Sequence, residues 1–200
     1  MRMKKIYGLI LAMLLILTLA GCGAAAQNGD VTARNGGASG GADISFRTAE
    51  LKEVYALEQH SEGGLFSEVY TAPFENDGRS YAGSIYFLLD AGEISHLHRL
   101  DCDEIWYYHE GCGMKITVLT DEGKEELLLG SDTDAGQRGM AVIPAGAMFA
   151  AENLDEDGYT FISCATTPKF TYDGFHLVDK AELQAAYPDL ADELGYLAYE

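Results

Sequence analysis

Basic residues are scarce in this chain. Its 200 residues include 13 Lys and Arg against 32 Asp and Glu, which gives a formal net charge of −19 at pH 7. A nucleic-acid-binding protein needs Lys and Arg to neutralise phosphates, and electrostatic binding to anionic lipid head groups needs them too. The composition therefore argues against nucleic acid as a partner and against a charge-driven membrane contact.

Familiar catalytic and metal-binding signatures are also missing. The sequence has no P-loop, no dinucleotide fingerprint, no Ser-centred nucleophile elbow and no CxxC pair. The sequence has four cysteines, of which Cys22 is discussed below and the other three are Cys102, Cys112 and Cys164. Cys102 and Cys112 flank one predicted strand and can form a disulfide only if their backbones lie close together.

Long apolar runs are lacking as well. The longest, residues 6–19, has 14 residues and is too short for a transmembrane helix. It follows a basic start and precedes Leu19-Ala20-Gly21-Cys22, which resembles a bacterial lipobox. We therefore predict a lipoprotein signal peptide over residues 1–21 and lipidation of Cys22. The protein is then extracytoplasmic, and its lipid anchor on a bacterial cell membrane is its only membrane contact.

The remaining chain divides into a linker and one domain. Residues 23–43 are rich in Gly, Ala, Asn and Ser and contain no aromatic residue, so residues 22–44 are predicted to be a flexible tether. Residues 45–200 are long enough for one hydrophobic core and are predicted to form a single domain. Removal of residues 1–21 removes three basic residues, so the mature chain carries a net charge of −22.

Within this domain, most of the sequence has the pattern of short strands separated by turn residues. Many short strands at regular spacing favour an all-β sandwich or barrel. The predicted strands are Phe66–Tyr70, Tyr81–Leu89, Ser95–Arg99, Ile105–His109, Met114–Thr120, Glu125–Leu129, Met140–Ile143, Phe149–Asn153 and Tyr159–Ala165.

Helices are predicted only at the two ends of the domain. An N-terminal helix is expected over Thr48–Leu57 with Thr48 as its N-cap. C-terminal helical pieces are expected over Lys180–Tyr187, capped by Asp179, and over Asp189–Leu197.

The most informative residues lie in two central strands. His96 and His98 are two residues apart on a predicted strand, so both are expected on the same face. Glu104, Trp106 and Tyr108 share a face of the next strand by the same rule. Two imidazoles and one carboxylate make a facial triad that suits a divalent transition metal.

This region resembles the first cupin motif, which is HxH, a few residues, Glu, six residues and Gly. The gap between His98 and Glu104 is five residues here, slightly longer than the usual three or four. Residues 139–153 resemble the second cupin motif, with Pro144-x-Gly146 in place. Phe149 stands where metal-binding cupins carry their last His ligand, which weakens the metal prediction.

A more extensive resemblance is to the small cupin-five family, which is similar to sugar-epimerase-like cupins. It rests on short blocks in order between about Leu51 and Tyr187. They include His60–Tyr70, Ile85–Leu89, His98-Arg99, Asp103–Trp106, Val142–Gly146, Phe149–Glu152 and Cys164–Phe170. The resemblance implies a double-stranded β-helix, the cupin jelly-roll barrel, and a homodimer; it implies no particular reaction.

From these residues we predict that the barrel binds a small polar molecule, such as a sugar or sugar acid. Aromatic faces suit ring compounds, and the mouth of a small barrel is a usual ligand site. The predicted ligand-binding residues are Glu62, Phe66, Tyr86, Trp106 and Phe149.

Three alternatives remain open. The protein can be an isomerase- or epimerase-like enzyme, with His98, Glu104 and Tyr108 as catalytic residues; His98 would abstract a proton and Tyr108 would donate one. It can be a metal-dependent cupin enzyme that binds Fe, Mn, Ni or Zn through His96, His98 and Glu104. It can also be a non-catalytic interaction lipoprotein.

Overall fold

The structure is a computed structural model that describes residues 40–200, with side chains from residue 43. The predicted signal peptide, Cys22 and most of the predicted linker lie outside the described residues. Among residues 40–200, no helix has both the length and the apolar character needed to cross a membrane.

Short strands dominate the described chain, in agreement with the predicted all-β class. In chain order they are β1 (Glu58–Gln59), β2 (Leu65–Thr71), β3 (Glu75–Asn76), β4 (Arg79–Ser80), β5 (Gly83–Leu89), β6 (Ile94–Leu100), β7 (Asp103–Gly111), β8 (Met114–Thr120), β9 (Gly123–Leu129), β10 (Met140–Ile143), β11 (Met148–Asn153), β12 (Thr160–Thr167) and β13 (Phe175–Leu177). The helices are α1 (Gly40–Val54), α2 (Lys180–Ala186) and α3 (Ala191–Leu194).

Eleven of the thirteen strands form two antiparallel sheets that enclose the core, and β3 and β4 pair as a separate two-stranded sheet. The first sheet has the order β1-β2-β5-β12-β7-β10, and the second has the order β13-β6-β11-β8-β9. Side chains that alternate along the strands, such as Phe87, Trp106, Ile116, Phe149 and Ile162, pack between the sheets and are almost fully buried. The predicted jelly-roll architecture is confirmed.

Helix α1 covers the outer face of the first sheet. Leu51 is buried against Leu88 and Phe161, and Arg47 pairs with Glu110 at 2.6 Å. The helix begins at Gly40, earlier than expected, so Thr48 lies inside it and not at its N-cap. The Thr48 hydroxyl donates to the carbonyl of Ser45 at 3.4 Å. Packing on the sheet, and not the capping pattern, therefore determines where this helix lies.

The C-terminal segment covers the outer face of the second sheet. Asp179 caps α2 as predicted, because its carboxylate accepts from the N–H of Glu182 at 2.8 Å. Backbone hydrogen bonds also attach the segment to β6. The N–H of Leu97 donates to the carbonyl of Leu197 at 2.8 Å, and the N–H of Val178 donates to the carbonyl of Leu97 at 2.8 Å. The C-terminal segment thus holds one edge of β6.

Candidate functional site

A cavity of about 300 Å³ lies between the two sheets. Its size is at the lower end of the range for small-molecule sites. Five barrel strands, the loop between β1 and β2, and the segment that follows β12 contribute its walls. The residues that line it are His60, Glu62, Phe66, Glu68, Gly83, Ser84, Ile85, Phe87, His98, Leu100, Glu104, Trp106, Cys164, Thr166, Lys169, Phe170 and Tyr172.

A tight loop between β1 and β2 brings Glu62 into this cavity. Gly63 has φ +106°, and a Cβ atom there would lie 2.1 Å from the carbonyl oxygen of Ile94. A Cβ atom on Gly64 would lie 2.5 Å from the Phe87 ring. Only glycine permits this approach. Glu62, a predicted ligand-binding residue, lies inside the cavity and is only 7% exposed.

The expectation that His96 and His98 share a face is wrong, because β6 contains a bulge. Phe149 of β11 pairs with His98, but Ala151 pairs with Ser95, so β6 has one extra residue between the two pairs. An extra residue reverses the alternation of faces. Ser95 and His98 therefore point inward, and His96 points outward.

Outside the barrel, His96 contacts the C-terminal segment. Its Nδ1 atom lies 3.2 Å from the carbonyl oxygen of Leu197, and its ring makes an edge contact with Tyr199. The predicted metal triad of His96, His98 and Glu104 is therefore not brought together. No group of three potential metal-ligating residues with suitable geometry occurs among the described side chains.

Three polar side chains surround the Glu62 carboxylate inside the barrel. Its Oε2 atom lies 3.3 Å from His98 Nε2 and 3.3 Å from His60 Nδ1, and its Oε1 atom accepts from Ser95 Oγ at 3.0 Å. Burial acts to raise the pKa of Glu62, but the charge of His98 and the hydrogen bonds of His60 and Ser95 hold it below the ordinary value of 4.5. Glu62 is therefore the ionised carboxylate of the cavity.

The pKa of Glu104 is shifted in the opposite direction to that of Glu62. It is 7% exposed, and the Trp106 and Cys164 side chains lie within reach of its carboxyl group. Burial first, and then the negative charge of Glu62, raise the pKa of Glu104 to about 8. At pH 7 this side chain is a neutral carboxylic acid that faces the cavity. Protonation removes the negative charge of Glu104, so the buried carboxyl group needs no metal ion or cationic side chain beside it.

Of the other predicted site residues, Phe66 and Trp106 line the cavity, and Tyr86, Phe149 and Tyr108 do not. Tyr86 is next to the inward-facing Phe87, so it lies on the outer face of the sheet, with its ring centre 4.5 Å from that of Tyr55. Phe149 packs beneath His98, with ring centres 4.0 Å apart, and belongs to the core.

Tyr108 lies two residues beyond Trp106 on β7, away from the cavity walls. Its hydroxyl donates to the carbonyl of Gly111 at 2.7 Å, and its ring packs against the barrel core. Tyr108 lies on the same face of β7 as Trp106, as the sequence predicted. It lies too far along the strand to line the cavity, so it is not placed to donate a proton there.

Several lining residues were not predicted as site residues. His60 stands beside the glycine pair, which is the one local signal for it. Both Lys169 and Tyr172 follow β12 outside the strands, where strand periodicity gives no information; Tyr172 begins a short 3₁₀ helix, Tyr172–Gly174. Lys169 Nζ pairs with Glu68 at 2.8 Å, and Tyr172 is 63% exposed, so both lie toward solvent.

Comparison with known proteins identifies relatives over most of the described chain. Residues 49–178 match the family described as Cupin superfamily (DUF985). A protein structure from Shewanella oneidensis is 36% identical, with a TM-score of 0.71, and the match covers 75% of this chain and 96% of that one. A hypothetical protein from Leishmania major is 30% identical, with a TM-score of 0.70, over 76% of this chain and 98% of that one.

More remote structures include oxalate decarboxylase from Bacillus subtilis, a protein with Mn(II) centres. It is 20% identical with a TM-score of 0.47, and the match covers 72% of this chain and 38% of that one. Among curated proteins, none matches the chain.

Proposed function

The chain belongs to the Cupin superfamily (DUF985), and we propose that it binds a small organic molecule with polar groups in its barrel cavity. Sugars and sugar acids are the class that the sequence predicts. Aromatic side chains such as Phe66 and Trp106 give the cavity ring-binding walls, and His98, Glu62 and Glu104 give it a polar side.

The observation that carries this proposal is that Glu104 is buried in the cavity wall, with its pKa raised to about 8. Burial of a carboxyl group is costly in a barrel that serves only as a scaffold. A ligand group in the cavity would accept the hydrogen of the neutral carboxyl group. Cavities with a few convergent polar groups and displaced pKa values are the usual form of small-molecule sites.

A thermal-shift screen tests ligand binding. Sugars, sugar acids and small ring ketones, each at high millimolar concentration, should include compounds that raise the melting temperature of the full chain. Glu104→Leu and His98→Ala should abolish the shift, and Tyr108→Phe, outside the cavity, should preserve it. If no compound in the panel stabilises the chain, or if the cavity variants respond like the parent, the proposal fails.

Proton-transfer catalysis is a second candidate function. Its support is that the two cavity carboxyl groups have pKa values displaced in opposite directions, a pattern that separates a base from an acid. In this mechanism the Glu62 carboxylate beside His98 accepts a proton from the ligand, and the neutral Glu104 carboxyl group donates one, the role first expected of Tyr108. A metal-dependent reaction through His96, His98 and Glu104 is not proposed, because His96 faces away from the cavity.

Deuterium incorporation tests this second function. Each stabilising compound would be incubated with the full chain in D₂O, and loss of its C–H signals would be followed by proton NMR. Exchange that depends on His98 and Glu104 supports catalysis. Binding without exchange leaves the protein a binding module and excludes the enzyme proposal for that compound.

We further propose that the protein is anchored outside the cytoplasm by lipid on Cys22. The lipobox-like Leu19–Cys22 sequence and the basic start support this localisation. Labelling of bacteria with radioactive palmitate should mark the wild-type chain and not Cys22→Ser, and the variant should leave the membrane fraction. Equal labelling of both chains would contradict the anchor.

A homodimer is proposed as well, as the family resemblance implies. Tyr107, Met140 and Val142 lie on the neighbouring strands β7 and β10 and are 38%, 52% and 50% exposed. Such an apolar surface suits an interface between two copies of this chain. If the protein is a non-catalytic interaction lipoprotein, the same surface suits a different partner protein. Light scattering should give a dimer mass that Val142→Asp reduces; a monomer mass for both chains would contradict the dimer.

A further inference from the structure

Four cavity residues form one continuous patch across two neighbouring strands. Glu104 of β7 lies directly opposite Thr166 of β12, and Trp106 lies directly opposite Cys164. Directly opposed side chains on one face are about 5 Å apart at Cβ. All four residues line the cavity, and each is at most 7% exposed. We call these four residues the donor patch.

Hydrogen-bond donors outnumber acceptors in this patch. The indole N–H of Trp106 is buried beside the Glu104 carboxyl group and forms no hydrogen bond of good geometry in the described part of the chain. The Thr166 hydroxyl accepts from the N–H of Phe170 at 2.8 Å, which leaves its own hydrogen available to a further acceptor. The neutral Glu104 carboxyl adds an O–H donor. The group that complements this patch is therefore an acceptor.

The walls of the cavity beside this patch are apolar. They are formed by Phe66, Ile85, Phe87, Leu100 and Phe170. A sugar in this cavity would bury hydroxyl groups against hydrocarbon, and each hydroxyl without a partner would lower the affinity. The walls thus favour a ligand whose body is mostly hydrocarbon.

The charges of the cavity favour a ligand without net charge. The Glu62 carboxylate is balanced by His98 at 3.3 Å, and the one lysine in the lining, Lys169, already pairs with Glu68 at 2.8 Å. A ligand carboxylate would add a second negative charge close to Glu62 with no free cation to offset it.

We propose that the cavity binds a neutral ring compound with a mainly apolar body and one carbonyl oxygen, which accepts hydrogen bonds from Glu104 and Trp106. This inference rests on the proposed binding function and replaces the sugar class predicted from sequence with a more apolar class of ligand. The apolar body lies against the Phe66 and Phe87 walls, and the carbonyl faces the donor patch.

Trp106 makes the proposal directly measurable, because the chain contains one tryptophan. Its indole N–H gives a single, identifiable peak in a proton–nitrogen correlation spectrum of the ¹⁵N-labelled full chain. Acetophenone, ethylbenzene and glucuronate serve as probes. Acetophenone and ethylbenzene have similar shapes, but only acetophenone has a carbonyl oxygen.

Titration with acetophenone should move the indole peak in a saturable manner. Ethylbenzene should bind about tenfold more weakly, which corresponds to the loss of one or two hydrogen bonds. Glu104→Leu removes a donor and should weaken acetophenone binding about tenfold. Glu104→Gln retains an N–H donor in the same place and should bind acetophenone within about threefold of the parent. Tyr108→Phe should bind it unchanged.

Two results overturn the inference and leave the binding proposal intact. One is a saturable indole shift with glucuronate and none with acetophenone, which would indicate a polar, charged ligand. The other is equal affinity for ethylbenzene and acetophenone, which would mean that the donors are not used. If none of the three probes moves the indole peak, the inference fails, and the thermal-shift panel decides separately whether the cavity binds other compounds.

Discussion

His98 and Glu62 are in direct contact inside the barrel, and both are buried. The Nδ1 atom of His98 lies 2.7 Å from the backbone carbonyl oxygen of His96, and its Nε2 atom lies 3.3 Å from Glu62 Oε2. A carbonyl only accepts, so Nδ1 carries a hydrogen. A neutral ring would then turn the Nε2 lone pair toward the carboxylate. A second proton between Nε2 and Oε2 removes this repulsion and makes the contact a buried ion pair.

Removal of the Glu62 charge should therefore destabilise the fold. Glu62→Gln leaves the His98 imidazolium buried without its counter-ion, and loss of one partner of a buried pair costs about 3–5 kcal/mol. Urea unfolding measures the change. The matched control is Glu68→Gln, which breaks the solvent-exposed pair with Lys169 and should cost at most about 1 kcal/mol. Equal costs for the two variants would contradict the buried ion pair.

Glu104 should make the protein less stable as the pH rises. Its pKa is about 8 in the folded chain, against an ordinary value of 4.5. Between these values the folded state binds one more proton than the unfolded state. The stability is therefore fully present below pH 4.5 and decreases by about 1.4 kcal/mol per pH unit up to pH 8.

Urea unfolding of the parent and of Glu104→Gln between pH 5 and pH 9 measures this contribution. The variant should lack the Glu104 part of the slope and should exceed the parent in stability at pH 9. Glu68→Gln, whose carboxylate has a lowered pKa, should retain the parent slope over this range. Parallel curves for the parent and Glu104→Gln would show that Glu104 ionises normally.

Gly63 should not tolerate a side chain. Gly63→Ala places a Cβ atom 2.1 Å from the Ile94 carbonyl oxygen at φ +106°. Gly78→Ala is the matched control, because its φ is +81° and its Cβ atom would meet nothing within 4 Å. Left-handed strain alone costs about 1–2 kcal/mol, and the clash should add about 1–3 kcal/mol at Gly63. Thermal unfolding compares the two, and a Gly63→Ala cost no larger than that of Gly78→Ala would mean that the loop moves freely.

Tyr108 should have no part in ligand binding. Tyr108→Phe removes one hydrogen bond, from its hydroxyl to Gly111, outside the cavity lining. We expect a stability loss of about 1 kcal/mol or less and unchanged ligand titration curves. Calorimetric titration with any compound that stabilises the parent checks this. A severalfold loss of affinity would place the Tyr108 hydroxyl in the site after all.

Strand alternation made the fold readable from the sequence. The run from Met114 to Thr120 is β8 without adjustment, and most other predicted strands lie within two residues of the observed ones. The same rule located Glu104 and Trp106 in the cavity. It would also have placed Tyr86 outside, since Phe87 beside it faces the core.

The site is harder to predict, because contacts between distant segments define it. The bulge between Ser95 and His98 depends on how β11 pairs with β6, and nothing local to the His96–His98 segment indicates it. Glu62 reaches the cavity from a loop, through a close approach of Gly63 to Ile94 that only the folded chain reveals. The spacing of His96, His98 and Glu104 predicts a metal triad. In the folded chain His98 contacts Glu62, and His96 lies outside the barrel.

The backbone hydrogen bonds between Leu97 and the segment that contains Leu197 couple the cavity to a distant part of the chain. Strand β6 carries His98 and the bulge, and the N–H of Leu97 donates to the carbonyl of Leu197. The segment around Leu197 therefore helps to hold the strand that orients His98. A substitution in that segment acts on the cavity through β6, without changing a residue that lines it.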